Sequence, residues 1–215
     1  METTWARLAG QERPRPPAEW LVRADAAGGL LAPAPELLEW VERMILATDG
    51  PLHNRDHAHL VDADLAFLWA SSGFQKAGRV VLGLAEQVMF RASGWQKVRQ
   101  EQQMIEWFGR VPAFLITLAA DYCTACSDAE FCALVEHELY HIGHAPDPYG
   151  APAFDKEGRP KLRIVGHDVE EFVGVVARYG PSADVRRLAA AAGSASAVPR
   201  LGIARACGCC LKAAF

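Results

Sequence analysis

The chain has 215 residues, 51% of them hydrophobic, and a formal net charge of −4 at pH 7. That length suits one domain with a buried core and is short for two. The composition excludes a disordered or collagen-like polymer. The weak acidic balance gives no electrostatic footprint for nucleic acid, though it leaves a local basic patch open.

Residues 1–33 are rich in Pro, Arg, Gly and Ala, with Arg13-Pro14-Arg15-Pro16-Pro17 and Ala26-Ala27-Gly28-Gly29 breaking any periodic pattern. They read as a partly flexible arm, from which Trp20-Leu21-Val22 can dock on the core. The start of the chain carries no basic stretch followed by an apolar one, and no apolar run reaches the roughly 20 residues needed to span a bilayer. The expectation is a cytoplasmic protein with no membrane partner. In such a compartment Cys123, Cys126, Cys132, Cys207, Cys209 and Cys210 are thiols or metal ligands, not staples.

Pro35 suits a first helical turn, and Leu37, Leu38, Val41, Met44 and Ile45 recur at helical spacing, so a helix is expected from Pro35 to Ala47, stopped by Asp49-Gly50-Pro51. The runs 66–70 and 79–85 around a Gly-containing loop read as a β-hairpin. A helix over 95–108 and a buried strand over 111–119 follow, with Pro112 near the strand's start. Ser127 and Glu130 have capping-box spacing, opening a helix expected to run to His144 before Pro146. Two extended runs, 151–154 and 162–165, flank the turn Asp155–Arg159 and suggest a second hairpin. Gly166-His167-Asp168 opens a last helix to Tyr179, ended by Gly180-Pro181. An Ala-rich and Cys-rich tail occupies 182–215, leaving 34–181 as the folded domain. Strands and helices mix without regular alternation, which predicts an α+β fold with a small, mostly antiparallel sheet.

The chemistry concentrates in His137-Glu138-Leu139-Tyr140-His141. Residues four apart on a helix project from one face, so the two imidazoles can share a zinc ion. In this pattern Glu138 is the general base that takes a proton from the metal's water. Phe131, Leu134, Val135, Leu139 and Ile142 form the helix's apolar stripe, and Glu138 projects within it. Burying a carboxylate there is costly unless the stripe opens into a cleft or something pairs the charge. A zinc site needs a third ligand, and His167, Glu170 and Glu171 share a predicted helix face, so spacing alone leaves all three open.

The set His-Glu-Leu-Tyr-His, an intervening hairpin and Gly166-His167-Asp168-Val169-Glu170-Glu171-Phe172 resembles the phage metallopeptidase family. The resemblance runs from about Leu37 onward, through Gly109-Arg110-Val111-Pro112-Ala113-Phe114-Leu115-Ile116-Thr117-Leu118, to the Cys-rich end. More distantly the chain is similar to SprT-like metalloproteases. The resemblance implies a zincin-like fold, with a sheet packed on the active-site helix and on a second, ligand-bearing helix. It makes His167 the third ligand and Asp168, Glu170 and Glu171 the groups that orient the imidazoles. The implied activity is zinc-dependent hydrolysis of a protein or peptide substrate. The alternatives are a regulatory or DNA-associated binding protein on the same fold, using Arg159, Lys161, Arg163, Arg178, Arg186 and Arg187, or a phage-encoded cell-wall amidase or peptidase. Tyr140, Tyr149 and Tyr179 are candidate oxyanion donors. Cys123, Cys126, Cys207, Cys209 and Cys210 are candidates for a second zinc, and His53, His57 and His59 form a further polar cluster.

Overall fold

The computed structural model describes residues 12–18, 29–76, 78–169, 176 and 180–194. Its centre is a four-stranded sheet built from β1 (Leu31–Pro33), β2 (Leu65–Ala70), β5 (Gly83–Gln87) and β6 (Phe114–Ala119), in the order β1-β2-β6-β5. β2 and β6 run parallel, and β1 and β5 flank them antiparallel. The central pair is apolar on both faces, as strands covered from both sides must be.

One sheet face carries the main core. Leu65, Phe67 and Trp69 of β2 and Ile116 and Leu118 of β6 meet α1 (Pro35–Val41) and α4 (Asp128–Tyr140). α1 begins with a proline in its first turn and continues into a π-helical turn over Glu42–Leu46 that buries Met44, Ile45 and Leu46. The other face is thinly covered. Ala66, Leu68 and Leu115 pack against Val88, Trp107 and Phe108, the last two from α2 (Gly94–Phe108). Asp64 and Arg110 tie the starts of the two parallel strands together. Arg110 Nε lies 2.6 Å from Asp64 Oδ1, Arg110 Nη2 donates to the Leu65 carbonyl, and the Ala113 N–H donates to Asp64 Oδ2.

The sequence places α1, α2 and the strand of β6 correctly. It misassigns two pairings and one helix end. The expected hairpin of 66–70 with 79–85 does not form, because β6 inserts between β2 and β5. Only its tip closes locally, as β3 (Phe74–Lys76) paired with β4 (Arg79–Val81). The helix expected to reach His144 ends at Tyr140 with His141 as its cap, and Ile142–His144 becomes β7. The partner of β8 (Leu162–Ile164) is β7 and not 151–154, which makes only isolated bridges, Pro146 with Pro152 and Phe154 with Pro160. Prolines at 146, 148, 152 and 160 remove the donors a longer ladder would need.

Elements that the sequence reading did not anticipate include β1, a 3-10 helix over Arg55–Leu60, α3 (Ala120–Ala125) and α5 (Ala183–Gly193). Residues 166–169 are not helical, so His167 precedes any last helix; of 170–179 only Val176 is described, and it is helical. No helix of the described residues is long and apolar enough to cross a membrane. The architecture combines helices with small sheets, four of whose five strand pairings are antiparallel.

Candidate metal centre

α4 starts with a full capping box. Ser127 Oγ accepts from the Glu130 N–H, and Glu130 Oε2 accepts from the Ser127 N–H at 2.9 Å. Arg13, from the N-terminal arm, reinforces the same end. Its guanidinium is buried over the Phe131 ring, donates to the Cys123 and Cys126 carbonyls, and lies 2.7 Å from Asp128. Phe131, Leu134, Val135 and Leu139 then fix the helix against the sheet.

At the other end of α4 three imidazoles converge. His137 Nε2 and His167 Nε2 are 3.2 Å apart, and ligand atoms of His137, His141 and His167 all lie within 4.8 Å of one another. Two nitrogens held tetrahedrally at the usual zinc distance stand about 3.3 Å apart, so the closest pair already has the spacing of a shared ion. This is the one group of three or more His, Cys, Asp or Glu among the described residues arranged to hold a metal.

The backbone sets the ring of His141. Its Nδ1 lies 2.8 Å from the Val165 carbonyl, and the Val165 N–H donates to the His141 carbonyl at 2.8 Å. With Nδ1 donating, Nε2 keeps its lone pair for a metal. Ile142 pairs with Ile164 just beyond, and the Val165 side chain packs where Gly143 has no Cβ. Ending the helix at Tyr140 thus delivers both His141 and, through β8, the segment carrying His167. Burial holds His137 neutral by pushing its pKa down to about 4, aided by the neighbouring His141 and His167. Neutral imidazole is the form a metal requires.

Glu138 is fully buried, and neither carboxylate oxygen has a hydrogen-bond partner of ordinary geometry. Burial pushes its pKa up to about 8, and the Ala85 backbone opposes this only in part. The space for it comes from β5, because a Cβ at Gly83 would collide with Glu138 Oε1. Gly83 escaped the sequence reading, although a lone glycine inside an apolar strand signals a close approach. The Val165 backbone contact and Arg13 were missed too, and neither has a local sequence signature.

Asp168 sits at an exposed bend and Tyr149 in a loop, 94% exposed, its N–H bound to Asp147. Glu170, Glu171, Tyr179, Cys207, Cys209 and Cys210 lie outside the described residues. Cys123 and Cys132 are buried thiols, while Cys126 accepts from Arg13. Of the histidine-rich stretch, His57 is buried against Tyr140 with their ring centroids 4.5 Å apart, and His59 Nε2 meets the Ile142 carbonyl at 2.7 Å.

Residues 38–193 match the model of a family described as putative phage metallopeptidase. No curated protein and no solved structure matches the chain.

Proposed function

The chain belongs to the phage metallopeptidase family, and on that premise we propose that it is a zinc-dependent peptidase of zincin-like architecture, with His137, His141 and His167 as ligands and Glu138 as general base. The observation that carries this reading is the convergence of three imidazoles beside a buried carboxylate that, among the described residues, only the Ala85 backbone satisfies in part. The donor set suits the metal, since three neutral nitrogens leave a fourth position open.

Zinc bound there would supply a Lewis acid for the scissile carbonyl and bring the pKa of a water toward neutrality. The remaining work falls to the chain. Val165 holds His141 in the tautomer that presents Nε2. Gly83 leaves room for the Glu138 carboxylate and the Ala85 backbone satisfies it only in part, so beside the ion an oxygen of it would accept the proton of the attacking water and return it to the leaving amide nitrogen. β5 is an edge of the sheet and lies against α4. A peptide laid along that edge would gain main-chain hydrogen bonds with little demand on its side chains.

Two measurements test the proposal together. Elemental analysis of purified protein should find one zinc per chain in wild type and Glu138→Gln and none in His167→Ala. Cleavage of a peptide library should require both the metal and Glu138. Wild type without zinc after metal supplementation would overturn the metal reading, and a zinc-loaded protein inert toward every peptide would overturn the peptidase reading.

A further inference from the structure

We propose that Asn54 is a positioning residue for the metal ligands, acting through the two α4 side chains that immediately precede them. The inference rests on the zinc reading above. Its starting point is a weakness of the site: His137 and His141 occupy the last turn and the cap of α4, where backbone carbonyls run out of helical partners and helices fray. A roll of about 10° in that turn would carry an imidazole tip by about 1 Å. Metal–ligand distances tolerate only about 0.2 Å. Something outside the helix must fix its rotation.

Glu136 and Tyr140 stand one residue before each ligand and, being four apart, form a neighbouring stripe. The segment 52–60 crosses this stripe, and Asn54 bridges it. Asn54 Nδ2 donates to Glu136 Oε1 at 3.1 Å and to Tyr140 Oη at 3.0 Å, while Asn54 Oδ1 accepts the Asp56 N–H at 3.0 Å. The Tyr140 hydroxyl then donates to Asp56 Oδ2 at 2.9 Å. Farther along, His59 holds the Ile142 carbonyl, just past His141. The strap is itself tied to the core, with the Leu52 N–H on the Met44 carbonyl and the Asn54 N–H on the Ile45 carbonyl. The π-helical turn is thereby connected to the last turn of α4 by side-chain bonds that involve no ligand. Only a carboxamide supplies two donors and an acceptor at this point; an aspartate would set its charge against Glu136.

The test uses the full-length protein with Zn2+ and Co2+ as probes. Zinc affinity is measured by chelator competition, and the visible spectrum of the cobalt form is recorded, both well below the melting temperature. Asn54→Ala and Tyr140→Phe are each expected to weaken zinc binding about tenfold and to alter the cobalt ligand-field bands. Asp56→Ala should do the same, and Asp56→Asn, which keeps an acceptor for the Tyr140 hydroxyl, should restore wild-type behaviour. Should Asn54→Ala fail to fold, Tyr140→Phe and the Asp56 pair decide the matter. Variants that melt earlier yet keep wild-type zinc affinity and spectrum would make the strap a scaffold only and overturn the inference. Wild type that binds neither ion would instead sink the zinc reading, and the positioning role with it.

Discussion

Two helices pack on opposite faces of the same sheet, and they could hardly be held more differently. α4 buries Phe131, Cys132, Leu134, Val135, Glu138 and Leu139 over 13 residues. α2 has 15 residues and buries none; Trp95 is 93% exposed, and Val98 and Ile105 are about half exposed. Only Trp107 and Phe108, at its last turn, touch the sheet's second cluster. The contrast teaches that an apolar residue at helical spacing marks a stripe but not a lid over it. Rigidity is concentrated where three imidazoles must meet, and the opposite layer is attached at one end.

The sharpest break of this comparison targets Glu138, the one carboxyl group that α4 buries. Glu138→Gln should lower kcat/KM for peptide cleavage by about a thousandfold, within the usual range for losing a general base, while circular dichroism and zinc content stay unchanged. Phe131→Ala on α4 should destabilise the fold by about 3–5 kcal/mol in denaturant unfolding, whereas Val98→Ala on α2 should stay within about 0.5 kcal/mol. Equal losses at the two sites would erase the distinction drawn between the faces. Gly83→Ala should leave the fold intact but displace the Glu138 carboxylate, costing about a hundredfold in kcat/KM. A fully active Gly83→Ala would show that the carboxylate has room elsewhere.

The smallest expected effect is a pH dependence on the strap side of α4. Burial, with help from His59, pushes the pKa of His57 down to about 4 against a usual 6.5, while Asp56 pulls it up; Glu136 and Tyr140 face the ring from α4. Between those two values the unfolded chain binds the proton and the folded one does not, so protonation favours unfolding. The stabilising contribution is complete above about pH 6.5 and is lost as pH falls toward 4. His137 acts in the same sense in the metal-free protein. Melting temperatures of metal-free wild type should therefore drop across that window, and His57→Gln should shallow the drop. An unchanged slope would mean that the ring is already charged in the fold.

What the sequence made legible was local. The capping box at Ser127 and Glu130, the spacing of His137 and His141, and the apolar run of β6 all act within a few residues, and each appears in the structure where its pattern placed it. The misreadings share a cause. Ile142 continues the apolar stripe of α4, so periodicity carried the helix past its true end; the strand pairing with Ile164 and the clamp between His141 and Val165 depend on chain more than twenty residues away. The pairing of 66–70 with 79–85 was the nearest partner available, but β6 is apolar on both faces and took the centre. Arg13 lay in a proline-rich arm with no periodicity to betray its contact with Phe131.

The parallel pairing of β2 with β6 also sets an order of events. Leu65 meets Phe114 only after about 50 residues of intervening chain have been gathered in, a high-contact-order step that is slow to form. On a ribosome β2 emerges with one edge waiting, and β5 cannot join the sheet until β6 has supplied the strand between them. The pocket around Glu138 needs β5, and His167 lies beyond every strand of the described residues. The three imidazoles are therefore brought together only after β5 and β6 have joined the sheet, so the cluster waits on its scaffold.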